Sequence, residues 1–135
     1  KKNIMNTKLD KILAEISAGE LVDKITILEI KKIKIIDKEK IKEVDKELTS
    51  LNDTISNFVK DKSKIINLKE KLKDINLKLW DIEDKKRKAE KDKDFGEKFI
   101  ELARNVYKFN DERAKIKLEI NLILNSNIKE VKSHF

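Results

Sequence analysis

The sequence of 135 residues has no cysteine, no proline and a single histidine, His134. Without cysteine the chain forms no disulfide and offers no thiolate ligand. One histidine is too few for a histidine-rich metal site, and its place beside the end of the sequence does not suit a catalytic triad. Neither a phosphate-binding loop nor a dinucleotide-binding fingerprint is present. The sequence therefore predicts no metal, no cofactor and no catalytic residue, which favours a protein that is not an enzyme.

Long apolar runs are missing as well. No stretch approaches the roughly 18 apolar residues that a membrane-spanning helix needs. The first residues, KKNIMNTKLDK, lack the apolar core of a secretory signal. We therefore expect no transmembrane segment, and because an absence of cysteine fits a reducing compartment, we predict a cytoplasmic protein.

Charge is abundant, and it is mostly carried by lysine. Charged residues make up 44% of the chain, the net charge is +7, and only three of the 33 basic residues are arginines. One hypothesis is an anionic partner, such as nucleic acid or a membrane surface. The other is compositional drift, because the lysines are spread along the sequence and only Trp80 and Tyr107 offer large polar rings for stacking on bases. Drift is favoured, so nucleic acid is not expected as a partner.

The dominant positive signal is helical periodicity. Apolar residues recur at steps of three and four along residues 18–36, 38–60, 64–92 and 95–124. At about 1.5 Å per residue the last two stretches would each form a helix roughly 45 Å long. We predict an all-α protein, an elongated antiparallel bundle of about four helices with coiled-coil-like packing, in which the last helix is central and most buried.

Two boundaries are less sharply defined by the pattern. Residues 1–16, with Met5, Leu9, Ile12 and Ile16, carry a weak helical stripe and are interpreted as a variable segment ahead of a single domain over 17–135. Near Asp37 the apolar phase slips. A turn is the favoured interpretation there, and one continuous, kinked helix is the alternative.

Both glycines of the chain lie in similar motifs, SAGE and DFGE, at predicted helix starts. We interpret these as capping boxes, in which a Ser or Asp side chain accepts a hydrogen bond from the first turn and a Glu three residues later bonds back to the cap. The predicted capping residues are Ser17, Glu20, Asp94 and Glu97. The alternative, an anion bound at the helix N-terminus, is disfavoured because each glutamate places negative charge at the same point.

Polar residues that interrupt the apolar faces are the strongest candidates for a site. Placed at about 100° per residue, five of them fall within or beside the apolar arcs of their helices. They are Glu29, Glu83, Arg87, Asn110 and Arg113. We predict that they converge in the interior, either as a structural network that fixes helix register or as a pocket for a carboxylate or phosphate. The structural hypothesis is favoured.

Three blocks of sequence, SAGELVDKITILEIK, LWDIED and FIELARNVYKFNDERAKIKLEIN, carry a resemblance to a known family. Together they resemble a family of small bacterial proteins classed only as a domain of unknown function, over roughly residues 16–125. The resemblance implies a helical, cytoplasmic protein. It implies no activity and no catalytic residues.

Three hypotheses for function follow from these observations. The first is a non-enzymatic helical bundle that acts through self-association or a protein partner, and a homodimer is the favoured assembly. The second is a bundle that binds a small carboxylate or phosphate, possibly as an enzyme, in an interior pocket lined by Glu83, Arg87, Asn110 and Arg113. The third is weak binding to nucleic acid or an anionic membrane surface through lysines.

Overall fold

The computed structural model describes residues 8–132, which form four α-helices and one short 3-10 turn and contain no strand. The helices are α1 (Ala18–Lys34), α2 (Lys38–Phe58), α3 (Ile66–Asp92) and α4 (Glu97–Ile123), and the 3-10 turn spans Lys62–Ile65. This confirms the predicted all-α bundle of four helices. Within the described part of the chain, no helix is long and apolar enough to cross a membrane.

A capped turn separates α1 from α2. Ile35 has extended backbone angles and ends α1, and the Asp37 side chain accepts hydrogen bonds from the N–H groups of Glu39 and Lys40. This cap satisfies backbone donors that would otherwise lack partners at a helix start. The region is therefore a turn between two helices and not one kinked helix.

The helices α1 and α2 form one antiparallel hairpin, and α3 and α4 form another. Lys32 near the end of α1 pairs with Asp45 near the start of α2, whereas Leu21 and Ile55 share the same core cluster at the opposite end of this hairpin. The helix α1 lies against α3 and α4 as well as α2. Each helix of the α3–α4 hairpin has 27 residues, which corresponds to a length of about 40 Å.

The central helix is α1, which corrects the prediction that the last helix is the most buried. Val22, Asp23, Ile25, Thr26 and Ile30 of α1 are each at most 2% exposed. These positions lie around most of the circumference of α1 because it touches all three other helices. The helix α4 is buried on one side only, so the wide apolar arc of its sequence includes residues that face solvent.

The core lies at one end of the bundle, where α1 and α3 begin and α2 and α4 end. We call this region the bundle end. Its buried cluster combines Leu21, Val22, Ile25, Ile55, Ile65, Leu68, Leu72, Ile75, Ile116 and Ile120. Toward the other end Lys34, the last residue of α1, pairs with Asp81 of α3 at 3.9 Å. The α3–α4 hairpin extends beyond that point, and its side chains there are mostly exposed.

The segment ahead of α1 differs from its predicted weak helix. Residues 8–16 have no regular secondary structure, and all of them are exposed. The apolar side of these residues has no partner among the residues that the structure describes, so no packing offsets the cost of nucleating a helix there. The part of the predicted stripe that includes Met5 lies outside the described residues.

Candidate functional site

A buried ion pair joins α1 to α4. The side chain of Asp23 on α1 is 1% exposed, and Arg113 on α4 binds it with two parallel hydrogen bonds. Arg113 Nε donates to Asp23 Oδ1 at 2.9 Å, and Arg113 Nη2 donates to Asp23 Oδ2 at 2.5 Å. This bidentate geometry is the strongest arrangement available to a guanidinium and a carboxylate.

Amide and hydroxyl groups complete the surroundings of this ion pair. Asn76 Nδ2 on α3 donates to Asp23 Oδ1 and to Thr26 Oγ1, both at 2.9 Å, and the Thr26 hydroxyl donates to the Asp23 carbonyl oxygen at 2.8 Å. Asn110 Oδ1 accepts from Arg113 Nη1 at 3.3 Å. The network therefore connects α1, α3 and α4, and both carboxylate oxygens of Asp23 are satisfied. We call Asp23, Thr26, Asn76, Asn110 and Arg113 the Asp23 network.

Electrostatics hold Arg113 in its charged form. The hydrogen bonds from Arg113 to Asp23 raise the pKa of the guanidinium, and this effect outweighs the opposing effect of burial. A charged fork beside a buried carboxylate offsets the cost of removing both groups from water. The network is thus internally neutral, and its charges are matched within the chain.

A second polar cluster closes the N-terminus of α1. The N–H of Ala18 donates to Ser126 Oγ at 2.9 Å, and the N–H of Gly19 donates to Asn121 Oδ1 at 2.6 Å. A Cβ atom added at Gly19 would lie 2.3 Å from the carbonyl oxygen of Lys117. The glycine therefore allows the first turn of α1 to touch the backbone of α4. Because side chains of this chain occupy its N–H groups, this helix start does not present a free anion site.

The SAGE motif forms the predicted cap in part. Ser17 Oγ accepts from the N–H of Glu20 at 3.1 Å. The Glu20 carboxylate pairs with Lys117 Nζ at 2.6 Å, and the same ammonium reaches Glu130 at 3.2 Å. Burial lowers the pKa of Lys117, but the bonds to Glu20 and Glu130 outweigh it and the pKa is raised. The motif therefore links the start of α1 to α4 and to the segment after it.

The DFGE motif has a different geometry. Gly96, and not Asp94, is the N-cap of α4, and Asp94 Oδ1 accepts from the N–H of Gly96 at 3.2 Å. Glu97 is the first residue of the helix. A Cβ atom at Gly96 would meet nothing closer than Asp94 Oδ1 at 3.4 Å. The two glycines therefore share a sequence context but not a structural role.

Two of the five predicted cluster residues, Asn110 and Arg113, lie in the Asp23 network. Glu29 lies apart from them at the contact of α1 with α3, where it pairs with Lys69 at 3.1 Å and Lys73 at 3.2 Å. Its carboxylate is partly exposed and does not take part in the bonds of Arg113.

Glu83 and Arg87 also lie outside the network. They pair with each other at 3.8 Å as residues four apart on α3, and the Arg87 side chain is 81% exposed. Both line an open groove beside Ile27 and Ile30 of α1. The expected balance of two buried acids and two buried arginines is replaced by one acid, Asp23, and one arginine, Arg113.

Sequence reasoning missed Asp23 and Thr26. The available signal was a pair of polar residues three apart within LVDKITILEI, the most apolar helix of the chain. Such a pair faces one side of a helix. The sequence does not reveal that this side of α1 is buried, because the number of helices around α1 depends on the tertiary arrangement.

One groove beside the network is open to solvent. It has a volume of about 420 Å³ and lies between α1 and α3, with Arg113 at its edge. Ile27, Trp80, Glu83 and Arg87 also line it. Among the described residues, no group of three or more His, Cys, Asp or Glu side chains is placed to hold a metal ion.

The comparisons with known proteins give a family and no activity. The model of the Family of unknown function (DUF6165) matches residues 12–135. No curated protein and no solved structure matches the chain. The match confirms the resemblance to a family of unknown function and extends it at both ends.

Proposed function

The chain belongs to that family, which has no assigned activity, and we propose that it is a non-catalytic helical bundle that acts by associating with protein surfaces, first of all with its own. The observation that carries this proposal is the number of large apolar side chains left exposed. They are concentrated in two places, the bundle end with the segment before α1, and the outer face of α4. Contiguous exposed apolar surface marks an interaction site in a soluble protein.

The outer face of α4 presents a stripe made of Ile100, Tyr107, Leu118 and Leu122, each 43–58% exposed. At about 100° per residue these positions fall within roughly 60° of one another and face away from Ile116 and Ile120 in the core. We call this set the α4 stripe. It explains why the apolar arc of α4 is wider than one interface requires.

The Asp23 network supports the non-catalytic part of the proposal. Both carboxylate oxygens of Asp23 accept from Arg113, one of them also accepts from Asn76, and Arg113 Nη1 donates to Asn110. A general acid, a general base or a nucleophile must be able to reach a substrate. Within this network the charged groups serve instead to fix the register of α1 against α3 and α4.

Light scattering coupled to gel filtration tests the proposal. Over the micromolar range we expect a concentration-dependent mass that approaches twice the 15.9 kDa of one chain. A mass of 15.9 kDa at every concentration, together with no protein partner recovered by cross-linking in cell extract, would contradict it. A dimer at the lowest concentration would support it.

A second candidate is a site for a small carboxylate or phosphate in the groove beside Arg113. The observation that favours it is that two of the three arginines, Arg87 and Arg113, line one groove with Trp80. Inorganic phosphate and succinate should then raise the melting temperature, and Arg87→Met should abolish that rise. No shift in melting temperature with either anion would exclude this candidate.

A further inference from the structure

The segment of residues 8–16, directly before α1, combines helical spacing with an absence of helix. Leu9, Ile12, Leu13 and Ile16 follow the pattern i, i+3, i+4, i+7, which places them on one side of a helix. In the structure the segment is not helical, and Leu9, Ile12 and Leu13 are each more than 80% exposed. This is the pattern of a segment that becomes helical when its apolar side gains a partner.

The bundle end offers an apolar surface next to this segment. Phe58, Ile66 and Ile123 are exposed at this end. The residues next to them in the sequence, Val59, Ile65 and Leu124, belong to the core cluster or pack against it. Phe58 is 81% exposed. The segment leaves the bundle at the same end, because Glu15 Oε2 accepts from Asn127 Nδ2 at 2.6 Å.

From this arrangement we propose that the segment of residues 8–16 forms an amphipathic helix on the bundle end of a second copy of the chain, and that the second copy does the same in return. The inference rests on the proposed function and names its partner and surface. A two-fold exchange of this kind uses the same pair of surfaces twice, as an isologous dimer requires.

The area available is sufficient for a stable dimer. The four apolar residues of the segment and the three of the bundle end are all between about two-fifths and nine-tenths exposed. Together they offer on the order of 800 Å² per copy, which is what one partner contributes to an interface of standard size. Residues 8–132 do not cover these side chains, so this surface can receive a second molecule.

Charge favours a protein surface over a lipid or nucleic-acid surface. Although the whole chain carries +7, the segment has Lys8 and Lys11 balanced by Asp10 and Glu15. Helices that bind anionic membranes carry an excess of Lys and Arg on the polar side. The α4 stripe is a less suitable self-association surface, because Arg104 and Asp111 lie within its arc.

The test compares two sets of substitutions in the full chain by sedimentation equilibrium. Leu9→Ser/Ile12→Ser/Leu13→Ser should raise the dimer dissociation constant by about a hundredfold, because buried apolar anchors dominate interface energy. Phe58→Ser changes the bundle end that receives the segment, and it should also raise the dimer dissociation constant. These side chains are exposed in the single chain, so circular dichroism should show that α1–α4 stay folded in each variant.

The matched control removes apolar side chains of similar exposure from the α4 stripe. Ile100→Ser/Tyr107→Ser should leave the dimer dissociation constant within about twofold of the parent. If this control abolishes the dimer and the segment variants do not, the inference is overturned and the proposed function stands. A parent chain that is monomeric throughout would overturn the inference, and it would overturn the proposed function as well if cross-linking recovered no protein partner.

Two further measurements test the helix and the partner. Ala14→Pro keeps the apolar side chains but breaks the helix, so it should weaken the dimer, and an unchanged dimer would overturn the helical form of the proposal. The chain should not sediment with vesicles that contain phosphatidylserine. Sedimentation that depends on Leu9, Ile12 and Leu13 would assign the segment to a membrane surface and overturn the proposal.

Discussion

Asp23 on α1 and Arg113 on α4 are 90 residues apart in the sequence and form a bidentate ion pair in the interior of the bundle. The Asp23 side chain is buried almost completely, whereas Arg113 keeps about a third of its side chain exposed. The pair is therefore asymmetric. Without Asp23, the partly exposed guanidinium of Arg113 could bind water. Without Arg113, the carboxylate of Asp23 would stay buried with no other cation in the network.

The first prediction follows from this asymmetry. Arg113→Met should lower the free energy of unfolding by about 3–5 kcal/mol, because it leaves the carboxylate of Asp23 buried and unpaired. Arg113→Lys should cost less, about 1–3 kcal/mol, since an ammonium supplies the charge but not the planar fork. Urea denaturation at pH 7 measures both changes.

Arg87 provides the matched control for this measurement. Its guanidinium pairs with Glu83 at the surface of α3, so Arg87→Met should change stability by no more than about 0.5 kcal/mol. A melting temperature that rises in Arg113→Met, with stabilisation by phosphate in the parent chain only, would contradict the structural role. It would favour the anion site in the neighbouring groove.

The second prediction separates the two glycines. Gly19→Ala should destabilise the chain by about 1–3 kcal/mol, because the new methyl group overlaps the carbonyl of Lys117 and forces α1 away from α4. Gly96→Ala meets only the Asp94 side chain, so it should cost no more than about 1 kcal/mol, which reflects alanine being a poorer N-cap than glycine. Thermal denaturation of the two variants is the measurement, and equal losses would show that the close approach at Gly19 contributes nothing.

Much of the fold could be predicted because it depends on local pattern. Steps of three and four between apolar residues, without any proline, define the helices that are observed. The turn at Asp37 could also be expected, because the apolar phase slips there and Asp is a strong capping residue. What the pattern did not reveal is how far each helix is covered along its axis.

The candidate site shows that limit at particular residues. Asn110 and Arg113 could be chosen because they interrupt an apolar arc that is packed against other helices. Glu83 and Arg87 interrupt a similar arc, but their side chains lie in an open groove between α1 and α3 and remain exposed to solvent. A helical wheel gives the angle of a residue and not how closely the neighbouring helix packs against it, so the wheel predicted both in the interior.

Asp23 and the segment of residues 8–16 were misjudged for the same physical reason. Asp23 stands in an apolar helix and is buried because α1 is surrounded by three others. Residues 8–16 have the helical period but no helix, because their apolar side has no partner among residues 8–132 that would offset the cost of helix nucleation. In both cases the outcome depends on tertiary neighbours that no local pattern encodes.

The third prediction concerns the positive charge. Several lysines are engaged by acids of the same chain, among them Lys32 with Asp45 and Lys69 with Glu29. Binding to nucleic acid should therefore be weak and similar for all sequences, and it should fade steeply with salt because it rests on counterion release alone. Fluorescence anisotropy with single- and double-stranded DNA and with RNA tests this. Tight binding to one of them at physiological salt would show that the lysines form a specific surface.

The last prediction uses the raised pKa of Lys117. The ammonium binds Glu20 and Glu130 in the folded chain, and these bonds raise its pKa above the ordinary value of 10.5 despite partial burial. A group with a raised pKa in the folded state contributes its full stabilisation below the unfolded pKa and loses it as the pH rises through the folded one. The difference in unfolding free energy between the parent and Lys117→Met should be constant from pH 7 to about pH 10 and should shrink above pH 10.5. Urea denaturation at a series of pH values gives this difference.

Lys24→Met, which removes a more exposed lysine that pairs with Glu20 at 3.7 Å, is the control and should give a small difference at every pH. If the gap between the parent and Lys117→Met stayed constant through pH 11, then Lys117 would act through its apolar stem and not through its charge.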